Sequence, residues 1–489
     1  MIYSWYDKFI KYLYMFYNYL HKKYNLLLYV FAIKFTQKGK KMLEDKKSKA
    51  LNIIKEGMFS KKYIYNFKKI PQNGVTIENV LHIMDGRKSF INNKISGGVY
   101  INNTESKKLL SIVSSDYMFS NPLHPDLFPE LIKMESEIIE MVGSLFDLPD
   151  EGGGNLMTGG TESTIMALKA YKKYKNLYFF KPEVCCTRTV HAAVNKACEL
   201  LDLRIVYVEL DENKVMDVED LKRKVSFKTC AIIASYPCFA YGLNDPIESI
   251  SEVAKVYNIP LHVDACLGGF ITQFDKDLKL SFTQNIQSLS IDPHKFGYAP
   301  KGSSVLLWKN KNLKHCQYFI QNDWTGGIYA SVSLPGSRVG SQIATTWAAL
   351  LYNGFNYYNI MSNNIIQATK NLAYDIKNIE SFNVIGNPNV NVVAFYSDTY
   401  GIGQIIDYVS KKGWNLNILQ NPLCVHLCIT PKNINNVNNL IGLLKKLTKE
   451  EVKKCDNNVA SIYGMSASLP DKSVIDDIVK YYLDFTTNI

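Results

Sequence analysis

Lys295 stands in the run Ser288-Leu-Ser-Ile-Asp-Pro-His-Lys295, directly after a short apolar stretch that reads as a buried strand. Thirty-one residues earlier, Pro260-Leu-His-Val-Asp264 closes another such stretch on a carboxylate. A lysine amine forms a Schiff base with an aldehyde, and a carboxylate beside a pyridine nitrogen keeps that ring protonated and ready to accept electrons. The pair therefore points to pyridoxal 5′-phosphate, with Lys295 as its covalent anchor and Asp264 as its pyridinium partner. Taken singly, Lys295 could be a solvated surface lysine and Asp264 a helix cap. Their shared apolar, strand-ending context favours chemistry. Thr158-Gly-Gly160-Thr161 opens a helical pattern, where glycine, a hydroxyl and free backbone N–H groups suit a phosphate. His191 lies between a strand and a helix; its ring could stack on the cofactor, or simply bond locally at the helix start.

Positioning these groups calls for alternating strands and helices. Strands are expected at 183–186, 204–208, 231–235, 261–264, 288–291 and 303–308, with helices at 130–145, 161–174, 191–201, 218–224 and 247–257. Strands separated by helices of this length predict an α/β fold with a mostly parallel sheet covered on both faces. In such sheets ligands bind at the carboxyl ends of the strands, where Asp264 and Lys295 fall. A helical region over 342–379 leads to a smaller C-terminal α/β segment with strands at 391–396 and 424–430. The expected units are an extension over 1–70, a segment over 71–125 that contributes to the site, a large cofactor-binding domain over 126–370 and a small domain over 371–489.

Charge sorts the chain into two parts. Residues 1–69 carry sixteen lysines against four acids, so a formal charge of +11 leaves residues 70–489 close to −1. A near-neutral body argues against nucleic acid as a partner. Residues 1–33 are crowded with aromatic and aliphatic side chains, but their longest uncharged run, Tyr24 to Ile33, is ten residues. About 20 are needed to span a bilayer. Membrane contact through residues 1–70 is expected, either lying in the interface or as a marginal anchor, with the Lys-rich stretch on the cytosolic side; a partner-docking segment is the alternative. The ten cysteines lack the spacing of a disulfide framework. Cys424-Val-His426-Leu-Cys428 has three metal-ligating types but no fourth ligand nearby, so it reads as an alternating strand and no metal is expected.

With these motifs in hand, the chain resembles the sphingosine-1-phosphate lyases, pyridoxal-phosphate enzymes of the aspartate-aminotransferase fold (fold type I). The resemblance covers residues 76–489. It rests on Ser120-Asn-Pro-Leu-His-Pro-Asp126, Gly159-Gly-Thr-Glu-Ser163, His191-Ala-Ala, His262-Val-Asp-Ala-Cys-Leu-Gly-Gly-Phe270, Asp292-Pro-His-Lys-Phe-Gly-Tyr-Ala-Pro-Lys-Gly-Ser-Ser304, Asp323-Trp-Thr-Gly-Gly-Ile-Tyr-Ala-Ser331 and Ser461-Ile-Tyr-Gly-Met465.

That resemblance implies an aldehyde-lyase that cleaves a sphingoid base 1-phosphate by a retro-aldol step on its external aldimine, giving a long-chain aldehyde and phosphoethanolamine. It implies that His191 stacks on the ring and that Gly160, Thr161 and His294 hold the cofactor phosphate. Gly340 and Ser341 would reach the cofactor of a second subunit in a homodimer. Tyr100, His124 and Lys301 would engage the substrate phosphate or polar head, with Asn121 and Tyr463 behind them. A site on the endoplasmic reticulum or another endomembrane follows, with the catalytic part facing the cytosol; without anchoring the chain would be cytosolic. Val339 and Ser341 stand where the family usually has Pro and Gly, Ala240 replaces a frequent Pro and Val194 a common Phe. A pyridoxal-dependent amino-acid decarboxylase is the alternative enzyme, since it shares the Asp/Lys pair.

Overall fold

The computed structural model describes residues 69–449 except 88–90, 102 and 178, together with isolated positions on either side. Helices α1 (Ile77–Arg87), α2 (Thr104–Tyr117) and α3 (Pro129–Leu145) precede the first strand. Asn103 caps α2 by accepting from the N–H groups of Glu105 and Ser106, and proline opens α3, where its missing N–H costs nothing.

The central unit alternates β1 (Gly153–Met157), α4 (Gly160–Lys175), β2 (Glu183–Thr187), α5 (Ala193–Leu200), β3 (Arg204–Val208), α6 (Val218–Lys224), β4 (Thr229–Ser235), α7 (Ile247–Val256) and β5 (Leu261–Asp264). It continues through α8 (Gly269–Thr272), β6 (Ser288–Ile291), β7 (Ser304–Trp308) and α9 (Lys311–Gln317). Seven strands form one sheet in the order β1-β7-β6-β5-β4-β2-β3. Only β7 runs against the others, pairing antiparallel with both β1 and β6.

Alternate residues of the central strands feed two separate cores. Cys185, Ile232 and Ala234 pack on one face with α3 and α7, while Val184, Cys186, Ala231 and Ile233 pack on the other with α4 and α5. Burial on both faces explains why these strands read as unbroken apolar runs. The expected strands at 204–208, 261–264 and 288–291 match the structure to the residue, and helices differ from expectation by a residue or two.

No strand is expected from the sequence ahead of Thr158, yet the glycine run there opens β1. A Cβ on Gly154 would lie 2.7 Å from the Leu306 carbonyl oxygen, so glycine there lets β1 close against β7. A short hairpin of β8 (Phe319–Gln321) and β9 (Tyr329–Ser331) lies outside the main sheet.

The long helix α10 (Gly340–Lys377) is kinked at Gly354, whose φ is +63°. It leads to a second, four-stranded sheet of β10 (Phe382–Val384), β11 (Val392–Ser397), β12 (Asn417–Leu419) and β13 (Cys424–Cys428) in the order β10-β11-β13-β12. Helices α11 (Ile402–Ser410) and α12 (Val437–Leu447) cover it. Cys424, His426 and Cys428 are all buried on β13. Among the described residues no helix is long and apolar enough to cross a membrane. The aromatic, Lys-rich stretch on which the sequence places membrane contact lies almost wholly outside the described residues, as does Tyr463.

Candidate active site

Asp264 ends β5 and Lys295 lies in the turn after β6, the parallel neighbour of β5, so both emerge at the carboxyl edge of the sheet. The turn closes by a 3.0 Å bond from the Lys295 N–H to the Asp292 carbonyl. It sets the Lys295 Nζ 2.8 Å from Asp292 Oδ2. Burial opposes the charge on Lys295, yet Asp292, Cys266 and Asp264 together lift its ammonium well above lysine's ordinary value. Burial also works against the Asp292 carboxylate, but Lys295 and His294 hold it below the usual carboxylate range. His294 Nδ1 accepts from the Ser303 N–H at 3.1 Å, which leaves Nε2 as the protonated nitrogen, 3.4 Å from Asp292 Oδ2. Burial pushes the His294 pKa down, so this ring favours its neutral form.

Gly160, at the first turn of α4, faces this cluster. A Cβ there would lie 2.7 Å from Cys266 Sγ and 3.1 Å from Asp292 Oδ2. Gly159 precedes it as an N-cap with no side-chain bond, and a Cβ on Gly159 would come within 3.6 Å of the His294 ring. Thr161 follows, half-buried. Glu162 fixes the approach: its carboxylate accepts from the Thr158 N–H and hydroxyl and from the Leu334 N–H. The residues fit pyridoxal phosphate on the structure's own terms. A lysine amine and a strand-end carboxylate share one rim, a 16-residue helix starts beside them without a cap, and the buried Asp292 Oδ1 has no hydrogen-bond partner among the described residues.

His191 presents an exposed ring at the start of α5, with Nδ1 accepting from the Ala193 N–H at 3.1 Å. Thus the local bond and the free ring face occur together. The Phe239 ring meets it edge-on at 6.3 Å. Tyr100 is buried, with its ring edge-on to Phe296 at 4.9 Å and Lys301 Nζ 4.6 Å above its face. Burial raises the Tyr100 hydroxyl's pKa and lowers that of the Lys301 ammonium.

Asn121, Gly340 and Ser341 belong to a second cluster. Asn121 Oδ1 accepts from the N–H groups of Leu123 and Arg338. The Gly340 N–H donates to the Ser120 carbonyl at 2.9 Å, and a Cβ on Gly340 would strike Ser120 Oγ at 2.0 Å. Ser341 is buried behind it, and Arg338 grips Glu135 through two bonds of 2.8 Å. His124 is exposed in the turn that Asn121 begins.

Sequence reasoning assigned no role to Asp292 or Cys266, although both stand inside the motifs it singled out. An acid three residues before a lysine, across a proline turn, was the available signal for Asp292.

The pyridoxal-dependent decarboxylase conserved domain matches residues 100–397. Sphingosine-1-phosphate lyase of Dictyostelium discoideum is 37% identical over 85% of this chain and 81% of its own length. The chain belongs to the sphingosine-1-phosphate lyase family of pyridoxal-phosphate enzymes. Sphingosine-1-phosphate lyase 1 of Mus musculus is 36% identical over 92% of this chain and 83% of its own. Among solved structures, the Burkholderia pseudomallei sphingosine-1-phosphate lyase superposes with a TM-score of 0.75 at 28% identity, covering 86% of this chain and 98% of that one. Lactobacillus brevis glutamate decarboxylase shares the fold, with a TM-score of 0.71 at 16% identity over 82% of this chain and 98% of that one. The lyase family's fold type I architecture is that of the seven-stranded sheet described above.

Proposed function

We infer that this chain cleaves the C2–C3 bond of sphingoid base 1-phosphates, releasing a long-chain aldehyde and phosphoethanolamine with pyridoxal phosphate as cofactor. When bound, pyridoxal phosphate supplies the electron sink that makes carbon–carbon cleavage feasible. Lys295 would anchor the cofactor through its amine and, when free, would carry a proton at Nζ beside Asp292 Oδ2. Asp264 keeps the pyridine nitrogen protonated, and His191 covers one face of the ring. Gly160, Thr161 and the His294 Nε2–H hold the cofactor phosphate at the start of α4.

Lys301 and Tyr100 receive the phosphate of the substrate, with His124, Asn121 and Tyr463 lining its polar end. A compact, strongly hydrated ammonium suits a phosphate monoester. The observation that carries the reading is the placement of Lys301 against Tyr100, which packs on Phe296, the residue after Lys295.

The same reading assigns residues 126–370 to the cofactor-binding domain and 371–489 to the small one. It makes Gly340 and Ser341 the approach to a second subunit; the exposed Ile320, Trp324, Ile328 and Leu334 supply apolar surface for a homodimer. Residues 1–70 make the membrane contact, at an endomembrane with the catalytic part in the cytosol.

The test is incubation of the cofactor-loaded protein with a sphingoid base 1-phosphate and mass detection of phosphoethanolamine and aldehyde. Release of carbon dioxide from an amino acid, with no C2–C3 cleavage of the sphingoid base 1-phosphate, would overturn the reading in favour of a decarboxylase.

A further inference from the structure

Residues 91–100 run as a strap along the edge of the small sheet before delivering Tyr100 to Lys301. Asn92 Nδ2 donates to the Gly413 carbonyl at 2.9 Å, the Asn415 N–H to the Lys94 carbonyl at 2.8 Å and the Ser96 N–H to the Asn415 carbonyl at 2.8 Å. Asn433 Nδ2 donates to the Ile95 carbonyl at 2.7 Å. The strap thus pairs with the chain just before β12, with a parallel bridge between Ile95 and Asn415. It then turns sharply: Gly97 and Gly98 have φ of +63° and +73°, a region that L side chains avoid.

The last residue before the turn is Ser96, and its hydroxyl is saturated. It donates to the His426 carbonyl at 3.2 Å and accepts from the Cys428 N–H at 2.9 Å and Asn417 Nδ2 at 3.1 Å. A hydroxyl has one proton to give and two lone pairs, so all three valences tie the strap to β12 and β13. Asn417 Nδ2 also donates to His426 Nε2 at 2.8 Å, and His426 Nδ1 donates to the Ala240 carbonyl at 2.9 Å. His426 in turn meets Phe239 edge-on at 4.9 Å, the ring that faces His191. This chain of bonds, half-buried at Ser96 and Asn417 and buried at His426, joins the strap, the small sheet and the loop beside the cofactor's proposed stacking residue.

We propose that Ser96 is a positioning residue for substrate recognition: pinned by Asn417 and the β13 backbone, it sets the strap so that Tyr100 and Lys301 meet the substrate phosphate. Without the hydroxyl, the Cys428 N–H loses its acceptor, and the strap keeps its backbone bonds to Asn415 and Cys428 but loses its side-chain fastening just before two glycines. Tyr100, four residues on, then samples other positions and Lys301 loses the ring beneath it. The chemistry at Lys295 is untouched, because none of the three bonds reaches it. This inference rests on the assignment of Tyr100 and Lys301 to the substrate phosphate.

The test uses full-length, cofactor-loaded protein and four variants: Ser96→Ala, Ser96→Thr, Lys301→Ala and the double variant Ser96→Ala/Lys301→Ala. Ser96→Ala is expected to raise KM for a sphingoid base 1-phosphate about tenfold, the scale of one or two lost hydrogen bonds. Its kcat and the cofactor's visible spectrum should stay unchanged, and Ser96→Thr should restore KM. In the Lys301→Ala background, Ser96→Ala should raise KM by a clearly smaller factor than in the parent, because one of the two groups that the strap brings together is gone. Equal factors in both backgrounds, or a lower melting temperature with unchanged KM, would show a role in stability alone and overturn the proposal. If Lys301→Ala itself leaves KM unchanged, the phosphate role of Lys301 has failed. The strap then stands or falls on whether Ser96→Ala still raises KM and loses that effect in a Tyr100→Ala background.

Discussion

Lys295 and Lys301 are six residues apart in the sequence and live in opposite electrostatic company. Lys295 has its anion built in: Asp292 lies 2.8 Å away, and the surrounding acids outweigh burial and raise its pKa. Lys301 lies over an aromatic ring, and burial, followed by the Lys295 charge, lowers its pKa. The first lysine is held in place by a partner of its own. The second has no ion-pair partner among the described residues, and an incoming phosphate supplies one. One segment therefore separates a group that does chemistry from a group that selects substrate, through environment rather than residue type.

The largest effect that would test this contrast comes from removing the first lysine. Lys295→Ala should abolish turnover by on the order of 10⁴-fold and remove the visible absorption of the bound cofactor. A variant that keeps the band would sink the anchoring role. Lys301→Ala should leave the band intact and raise KM for the phosphorylated substrate by about 10–100-fold, the range of a hydrogen bond to a charged group. If kcat fell instead with KM unchanged, the two lysines would not divide chemistry from selection. A smaller effect tests the cofactor side. Gly160→Ala places a methyl 2.7 Å from Cys266 Sγ and 3.1 Å from Asp292 Oδ2. Weaker retention of pyridoxal phosphate on dialysis, by about tenfold in affinity, is expected from that crowding. Unchanged retention would mean that the glycine is not needed for the cradle.

The sequence announced the first lysine far more clearly than the device that serves the second. Asp264 and Lys295 carry their own local context, an apolar run ending in a polar group, and β5 and β6 end as that context says. The strands buried on both faces were equally legible, because a continuous apolar run is what two covering layers demand. The strand β1 was not legible, because its two opening glycines carry no apolar side chain to mark it and Gly154 serves close packing against β7. The fastening of the strap left no local signature. Ser96 is 321 residues from Asn417 and 330 from His426, and an isolated Ser, Asn or His at such separation has many ordinary explanations. His426 drew notice only as one of three metal-ligating residue types in a row. Its partners, Asn417 and the Ala240 carbonyl, exist only once the small sheet has folded beside the central one.

The finest test of the contrast is alkaline pH. A phosphate bound beside Lys301 favours its charged form, so the substrate binds the protonated enzyme more tightly. The pKa of free Lys301 is lowered, hence KM should be flat below that value and rise as pH passes through it, by at most about tenfold per pH unit. The groups around it do not cause the same rise. The pKa of Tyr100 is shifted upward, that of Cys428 is pushed up to about 12, and His294, pushed downward, has lost its proton already, while Lys295, joined to the cofactor, is the same in every variant at position 301. The substrate's own amine titrates in the same range, but it does so equally for every variant. Lys301→Arg isolates the lysine: a guanidinium stays charged throughout, at a modest cost in fit near neutral pH. The alkaline rise in KM should therefore vanish or move to higher pH in Lys301→Arg while the low-pH plateau stays within about fivefold of the parent. An identical alkaline rise in both proteins would assign the titration to the substrate and leave Lys301 without its electrostatic distinction from Lys295.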